Sequence, residues 1–150
     1  TKILNGENVS ATVYYKKLEA VEANEGSRIA SDALFEGLAF DIIAKEGSEI
    51  NLKKLKIDRI TAKISSGANV ILIGTAKFSD YLVNSGAILE AEKLVSTQVA
   101  VTANAGGEAD INATDLVDAK TRAGGKITIF GKPKQINQKT IAGGTIKEAK

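Results

Sequence analysis

Histidine and cysteine are both missing from this chain, as are methionine and tryptophan. Without cysteine there is no disulfide framework and no thiolate metal site, so cysteine usage says nothing about the redox compartment. Losing histidine as well removes the usual ligands of zinc, copper and haem. It also removes the commonest general base near neutral pH, and most nucleophilic triads with it. The expectation is a protein that is not an enzyme and carries no cofactor or metal. Charge of one sign is lacking too: 20 basic residues face 18 acidic ones. That balance gives no electrostatic case for nucleic acid or an acidic membrane surface. No apolar run is long enough for a membrane-spanning helix. The absence even of an initiator methionine fits a chain trimmed of a leader.

What is present is small and β-branched. Hydrophobic residues make up 43% of the 150, drawn mostly from Ala, Ile, Val and Leu, with four Phe and three Tyr. Such a set fills narrow interiors between strands rather than a broad centre. One domain spanning residues 1–150 is expected. Proline occurs once and glycine fourteen times. The glycines keep a rhythm: Gly26, Gly47, Gly67, Gly86, Gly106, Gly125 and Gly144 are separated by 21, 20, 19, 20, 19 and 19 residues.

The flanks repeat with them. Ile42 and Ala44, Ala62 and Ile64, Tyr81 and Val83, and Val101 and Ala103 stand five and three residues before a glycine. Ile50 and Leu52, Val70 and Leu72, and Leu89 and Ala91 stand three and five after. In the last two units the same register holds if Gly124 and Gly143 are taken as the reference. Alternation on both sides of a glycine reads as strand, tight corner, strand, with every second residue facing inward. A unit of this kind cannot bury its apolar face alone, but stacked copies can. The fold class is therefore all-β: a parallel β-helix, or solenoid, of about seven coils with a 19–21-residue repeat. Parallel crossovers are nearly always right-handed, so a right-handed coil is expected. Leu55, Ile57, Phe78 and Leu94 are assigned to the core from the return segments. Residues 21–147 form the repeats, and residues 1–20 a polar capping segment over an otherwise open edge. A β-sandwich or meander would instead show turns every eight to twelve residues, of the Asn-Gly kind. Only Asn5–Gly6 fits that signature. Ser31–Ile43 is irregular; Gly37 and the β-branched content argue against a long helix there.

Several phrases resemble a known family. Ile64-Ser-Ser-Gly-Ala-Asn-Val-Ile-Leu, Val83-Asn-Ser-Gly-Ala-Ile-Leu and Thr102-Ala-Asn-Ala-Gly-Gly-Glu-Ala repeat one motif. They are followed by Ala123-Gly-Gly-Lys-Ile-Thr-Ile-Phe-Gly-Lys-Pro and Ile141-Ala-Gly-Gly-Thr-Ile. Together these resemble the autotransporter-adhesin "head GIN" family, a domain of unknown function frequent in Bacteroidetes. The resemblance covers Leu55 to Ile146 best. It implies a β-helical domain exported to the periplasm, anchored at the outer membrane or secreted, with an adhesin-like role. It carries no catalytic or cofactor motif onto any residue here.

Individual clusters also have plainer readings. Gly106-Gly107-Glu108-Ala109-Asp110 has the composition of a calcium-binding β-roll phrase, but such sites need it repeated in register, and here it occurs once. Asp110, Asp115 and Asp118 form the densest acidic group, where a carbohydrate-active enzyme or glycan-binding protein would place a groove; a solvated face is the plainer reading. Lys53, Lys54, Lys56 and Arg59, with Lys132 and Lys134, are basic clusters without the interleaved aromatics of nucleic-acid recognition. Tyr81 takes an inward position with its hydroxyl at the core margin. Tyr14 and Tyr15, in the N-terminal segment, are the candidate partner contacts. The resulting expectation is a rigid extracytoplasmic binding or scaffold module with a protein or glycan surface partner, no nucleic acid and no membrane span. A flat face would also permit a homo-oligomer. The alternatives are the acidic-groove protein near Asp110–Asp118 and a purely structural envelope component.

Overall fold

The computed structural model describes residues 10–150, and Asn5–Gly6 lies outside them. Among the described residues there is no helix. The chain runs through nine strands: β1 (Ala20–Ala23), β2 (Arg28–Ala44), β3 (Glu49–Ile64), β4 (Asn69–Asn84), β5 (Ile88–Asn104), β6 (Glu108–Arg122), β7 (Lys126–Phe130), β8 (Gln135–Ile141) and β9 (Thr145–Glu148). Every pairing is parallel and joins each lap to the next, β1 to β2 through β6, with β7 and β8 both laid on β6 and β9 on β7. This is a β-solenoid of about seven turns. Val70 pairs with Leu89 in the adjacent lap, as equal laps demand. Ser31–Ile43 falls within β2 and is strand.

Each lap has three inward runs. In β3 they are Ile50 and Leu52, then Leu55 and Ile57, then Ile60, Ala62 and Ile64, all buried. The inward parity switches twice within one strand, because each bend spends two successive residues facing outward. At the second bend the outward pair is Asp58 and Arg59 in β3, and Lys77 and Phe78 in β4. This corrects the assignment of Phe78 to the core. It sits on a bend at 42% exposure, and the buried residue of that lap is its neighbour Ser79. Leu55, Ile57 and Leu94 are in the core as expected.

The third bend closes the lap. At the first six of these corners two successive residues have positive φ, and the residue after them donates a backbone hydrogen bond to the residue before, as from Ala87 N–H to the Asn84 carbonyl at 3.1 Å. That is the geometry of a type I′ turn. The corners also bond to one another: the Gly86 N–H donates to the Ala105 carbonyl of the next lap at 3.1 Å, and four other corner glycines repeat the bond.

Two different needs for glycine are combined at these corners. Gly86 has φ +68 and open space where a Cβ would stand, so it serves the backbone conformation alone, as do Gly26, Gly47, Gly67 and Gly106. Gly125 and Gly144 do not hold that position. In their laps the positive-φ glycines are Gly124 and Gly143, which corrects the even-gap register. A Cβ on Gly125 would run into the Ala103 carbonyl of the previous lap, and one on Gly144 into the Thr121 side chain. The same site in earlier laps is occupied by Ser48, Ala68 and Ala87, all buried, so the corner tightens along the chain.

The residue before the positive-φ glycine of each closing corner is never glycine: it is Glu25, Glu46, Ser66, Ser85, Ala105, Ala123 or Ala142. A left-handed conformation costs such residues on the order of 1 kcal/mol. Ser85→Gly is therefore expected to raise stability by about 1 kcal/mol. Gly86→Ala is expected to cost about 1 kcal/mol, and Gly125→Ala about 3 kcal/mol or more because backbone must shift. Urea unfolding of the three variants measures the order; a Gly125→Ala midpoint no lower than that of Gly86→Ala contradicts it.

Candidate functional site

The second bend stacks into a row along the solenoid. Arg59, Phe78, Gln98 and Leu116 are register partners in four consecutive laps. Two residues further on, Asp80, Ala100 and Asp118 form a parallel outward row. Between the rows the buried Ser79 and Val99 make the floor. These residues line an open groove of about 270 Å³. Its depth has a simple cause: Ala100 offers only a methyl group between two carboxylates, so the second row dips at its middle.

Phe78 dominates one wall. Its ring is covered on one side by the Arg59 guanidinium, 5.5 Å from the ring centroid. Such a contact is worth about 0.5–1 kcal/mol at an exposed site and holds both side chains in place. Asp118 lies 3.7 Å from Lys120, and among the described residues no ion pair occupies Asp80.

Beneath the floor is a polar pocket inside the core. Ser79 and Ser96 share a buried 2.8 Å hydrogen bond. Beside them Tyr81 is only 2% exposed, and its hydroxyl lies near both serines without a well-formed hydrogen bond. The expectation of a hydroxyl at the core margin is thus corrected: an inward residue on so narrow a coil points its ring at the far wall. Burial pushes the Tyr81 phenol well above its ordinary value, and the two serine hydroxyls offset only part of that.

The remaining candidates disperse. Asp110, Asp115 and Asp118 do not converge. Asp115 pairs with Lys134 at 2.8 Å, holding the lysine above its usual value through that hydrogen bond, while Asp118 borders the groove. Asp110 lies in the outward row of another face, paired in register with Glu90 and Thr128. No group of three or more acidic side chains that could hold a metal ion occurs among the described residues. The basic cluster is divided as well. Lys53 and Lys56 reach Asp32 and Glu36 of the previous lap, at 3.0 and 2.7 Å, and Arg59 faces Phe78. Tyr14 is 94% exposed. Tyr15, 40% exposed, stacks on Phe35 with ring centroids 5.6 Å apart, and Leu18 packs on the core. The groove was missed in the sequence because Phe78 was counted as core. The missing signal was the doubled outward residue at each bend.

Comparison with known proteins agrees with the fold. The family model described as "Putative auto-transporter adhesin, head GIN domain" matches residues 1–133. No curated protein matches the sequence. Among solved structures, a putative adhesin from Bacteroides fragilis NCTC 9343 is similar with a TM-score of 0.77 and 23% identity, over 81% of this chain and 56% of that one. A putative adhesin from Parabacteroides merdae ATCC 43184 gives 0.72 and 22%, over 89% and 64%. A putative lipid binding protein from Parabacteroides distasonis ATCC 8503 gives 0.72 and 16%, over 90% and 63%. At these identities the likeness concerns the fold, and the chain spans less than two-thirds of each of these structures.

Tyr81 supplies a test of the interior. Its folded value lies above the unfolded one, which is near 10, so the stability it contributes is complete below pH 10 and is lost as pH rises beyond it. The loss should approach about 1.4 kcal/mol per pH unit. Tyr81→Phe should remove that component while leaving neutral-pH stability unchanged or slightly raised, since an unbonded hydroxyl is deleted. Urea midpoints of both proteins at pH 9 and pH 11 measure the difference; parallel falls would contradict the buried phenol.

Proposed function

The chain belongs to the auto-transporter adhesin head GIN domain family, and from that premise we propose that it is a non-catalytic, extracytoplasmic binding module whose partner docks in the groove beside Phe78. The observation that carries this reading is the exposed aromatic ring itself. Every other phenylalanine of the solenoid is half-buried or buried, whereas Phe78 is braced by Arg59 in the open. An exposed aromatic held in one orientation binds with little further loss of side-chain freedom, which is what makes such residues anchors. Around it stand a few polar groups able to fix orientation: Asp80, Gln98 and Asp118.

A non-catalytic role is supported by the dispersal of the acids. Acid–base chemistry needs two groups placed across one reacting bond. Asp110, Asp115 and Asp118 serve separate faces and partners, Asp80 and Asp118 stand two laps apart in the groove, and the chain holds no histidine or cysteine to join them. Extracytoplasmic placement is supported by the names of the family and of the similar adhesins. One similar structure is named as lipid binding, but a groove walled by two carboxylates and a guanidinium suits a hydroxyl-bearing partner better than an acyl chain.

Labelled protein applied to bacterial envelope preparations tests this reading. Phe78→Ala and Asp80→Ala are each expected to lower retention about tenfold, the range for loss of a central contact. The melting temperature of Asp80→Ala should match the parent, and that of Phe78→Ala should fall by no more than a few degrees through loss of the Arg59 contact. Retention equal to the parent in both variants would refute docking at the groove, and no retention of the parent would favour the structural envelope component.

A further inference from the structure

We infer that the groove takes an uncharged saccharide chain lying lengthwise along the solenoid; this rests on the groove being the docking site. The direction comes from the stacking. The wall residues Arg59, Phe78, Gln98 and Leu116 advance one lap at a time, at about 4.8 Å per lap, so the row is about 14 Å long. One ring of an extended pyranose chain is close to one lap in length, so successive rings meet successive wall residues.

The chemistry of the two rows matches the two aspects of such a ring. A pyranose has an apolar C–H face and a rim of hydroxyl groups. Phe78 offers a flat apolar surface for the first. The carboxylates of Asp80 and Asp118 accept hydrogen bonds from hydroxyls, and the Gln98 amide both donates and accepts. The dip at Ala100 leaves room for a ring edge between the carboxylates.

Two observations exclude the obvious competitors. The strands forming the groove, β3 to β6, are each paired on both sides, so an extended peptide finds no free edge to join as an added strand. Arg59 and the Lys120 ammonium beside Asp118 only balance the two carboxylates of the lining, so the groove offers anionic polymers no net attraction. Uronates, sialylated chains and nucleic acids are disfavoured together.

Titration with cellohexaose, chitohexaose and hexagalacturonate, followed by calorimetry and by backbone amide shifts, provides the test. At least one neutral hexamer should bind about tenfold more tightly than hexagalacturonate at low salt, shifting the amides of Phe78, Gln98 and Ala100. The matching disaccharide should bind more weakly, because it spans fewer laps. Phe78→Ala should lower affinity for the hexamer about tenfold while the protein stays folded at the assay temperature. The saccharide assignment is overturned if neither neutral hexamer shifts those amides at millimolar concentration, or if hexagalacturonate binds as well as they do. Should that happen while Phe78→Ala still lowers retention on envelopes, the groove keeps its docking role and only its ligand class changes.

Discussion

Everything in this molecule depends on the closing corner of each lap. Two consecutive residues there adopt positive φ, the turn closes on itself with a backbone bond, and the glycine N–H reaches forward to the corner of the next lap. That forward bond lets the corners act as a common starting line. Strands leaving it begin level with one another, so Ile50, Val70, Leu89, Ala109 and Ile127 come into one inward file without any long-range search. Parallel sheets usually need separate crossover segments to bring distant strands together. Here the crossover is itself strand, so each contact in the stack is made with residues about twenty positions away.

Lap length nevertheless varies, and the difference has to be absorbed somewhere. It is absorbed on the return path. The register shifts fall between Ser31 and Leu34, Leu52 and Leu55, Ile71 and Ile73, Ala91 and Val95, and Ser96 and Gln98, never on the run that leads into a closing corner. Surface charge follows the same vertical logic. Most ion pairs join adjacent laps, such as Arg28 with Glu49, Lys77 with Asp58 and Lys126 with Glu108. Each is exposed and contributes little to stability, about 0–1 kcal/mol, but a slip of one residue would set such charges opposite inward residues, Arg28 against Ile50 for example.

The sequence was most legible where one rule acted alone. Around the closing corners a two-residue alternation and a backbone that demands glycine coincide, so inward residues such as Ile42, Leu72 and Val101 could be read directly. Legibility failed where two rules competed. In the last laps both glycines of a pair are required, one for conformation and one for close approach, and even spacing selected Gly125 and Gly144 where φ selects Gly124 and Gly143. At the second bend, hydrophobicity placed Phe78 inside while the bend's geometry put it outside. Tyr81 was placed rightly as inward, but its hydroxyl lies in the core beside Ser79 and Ser96, and the contribution of Ser96 from the next lap is one that no local pattern reveals.

That last failure bears on function. A position where sequence character and structural rule disagree is one where something other than the core has set the residue. The second bend meets no forward-bonding requirement and no demand for positive φ at residues 59, 78, 98 or 116, so its side chains are free to vary from lap to lap. They do vary: arginine, phenylalanine, glutamine and leucine succeed one another at equivalent places, while the inward files are mostly aliphatic or small. The closing corners make the scaffold rigid by allowing almost no choice. The bend opposite them is where the same scaffold can present unlike groups at fixed spacing, and the exposed ring of Phe78, braced by Arg59, stands there.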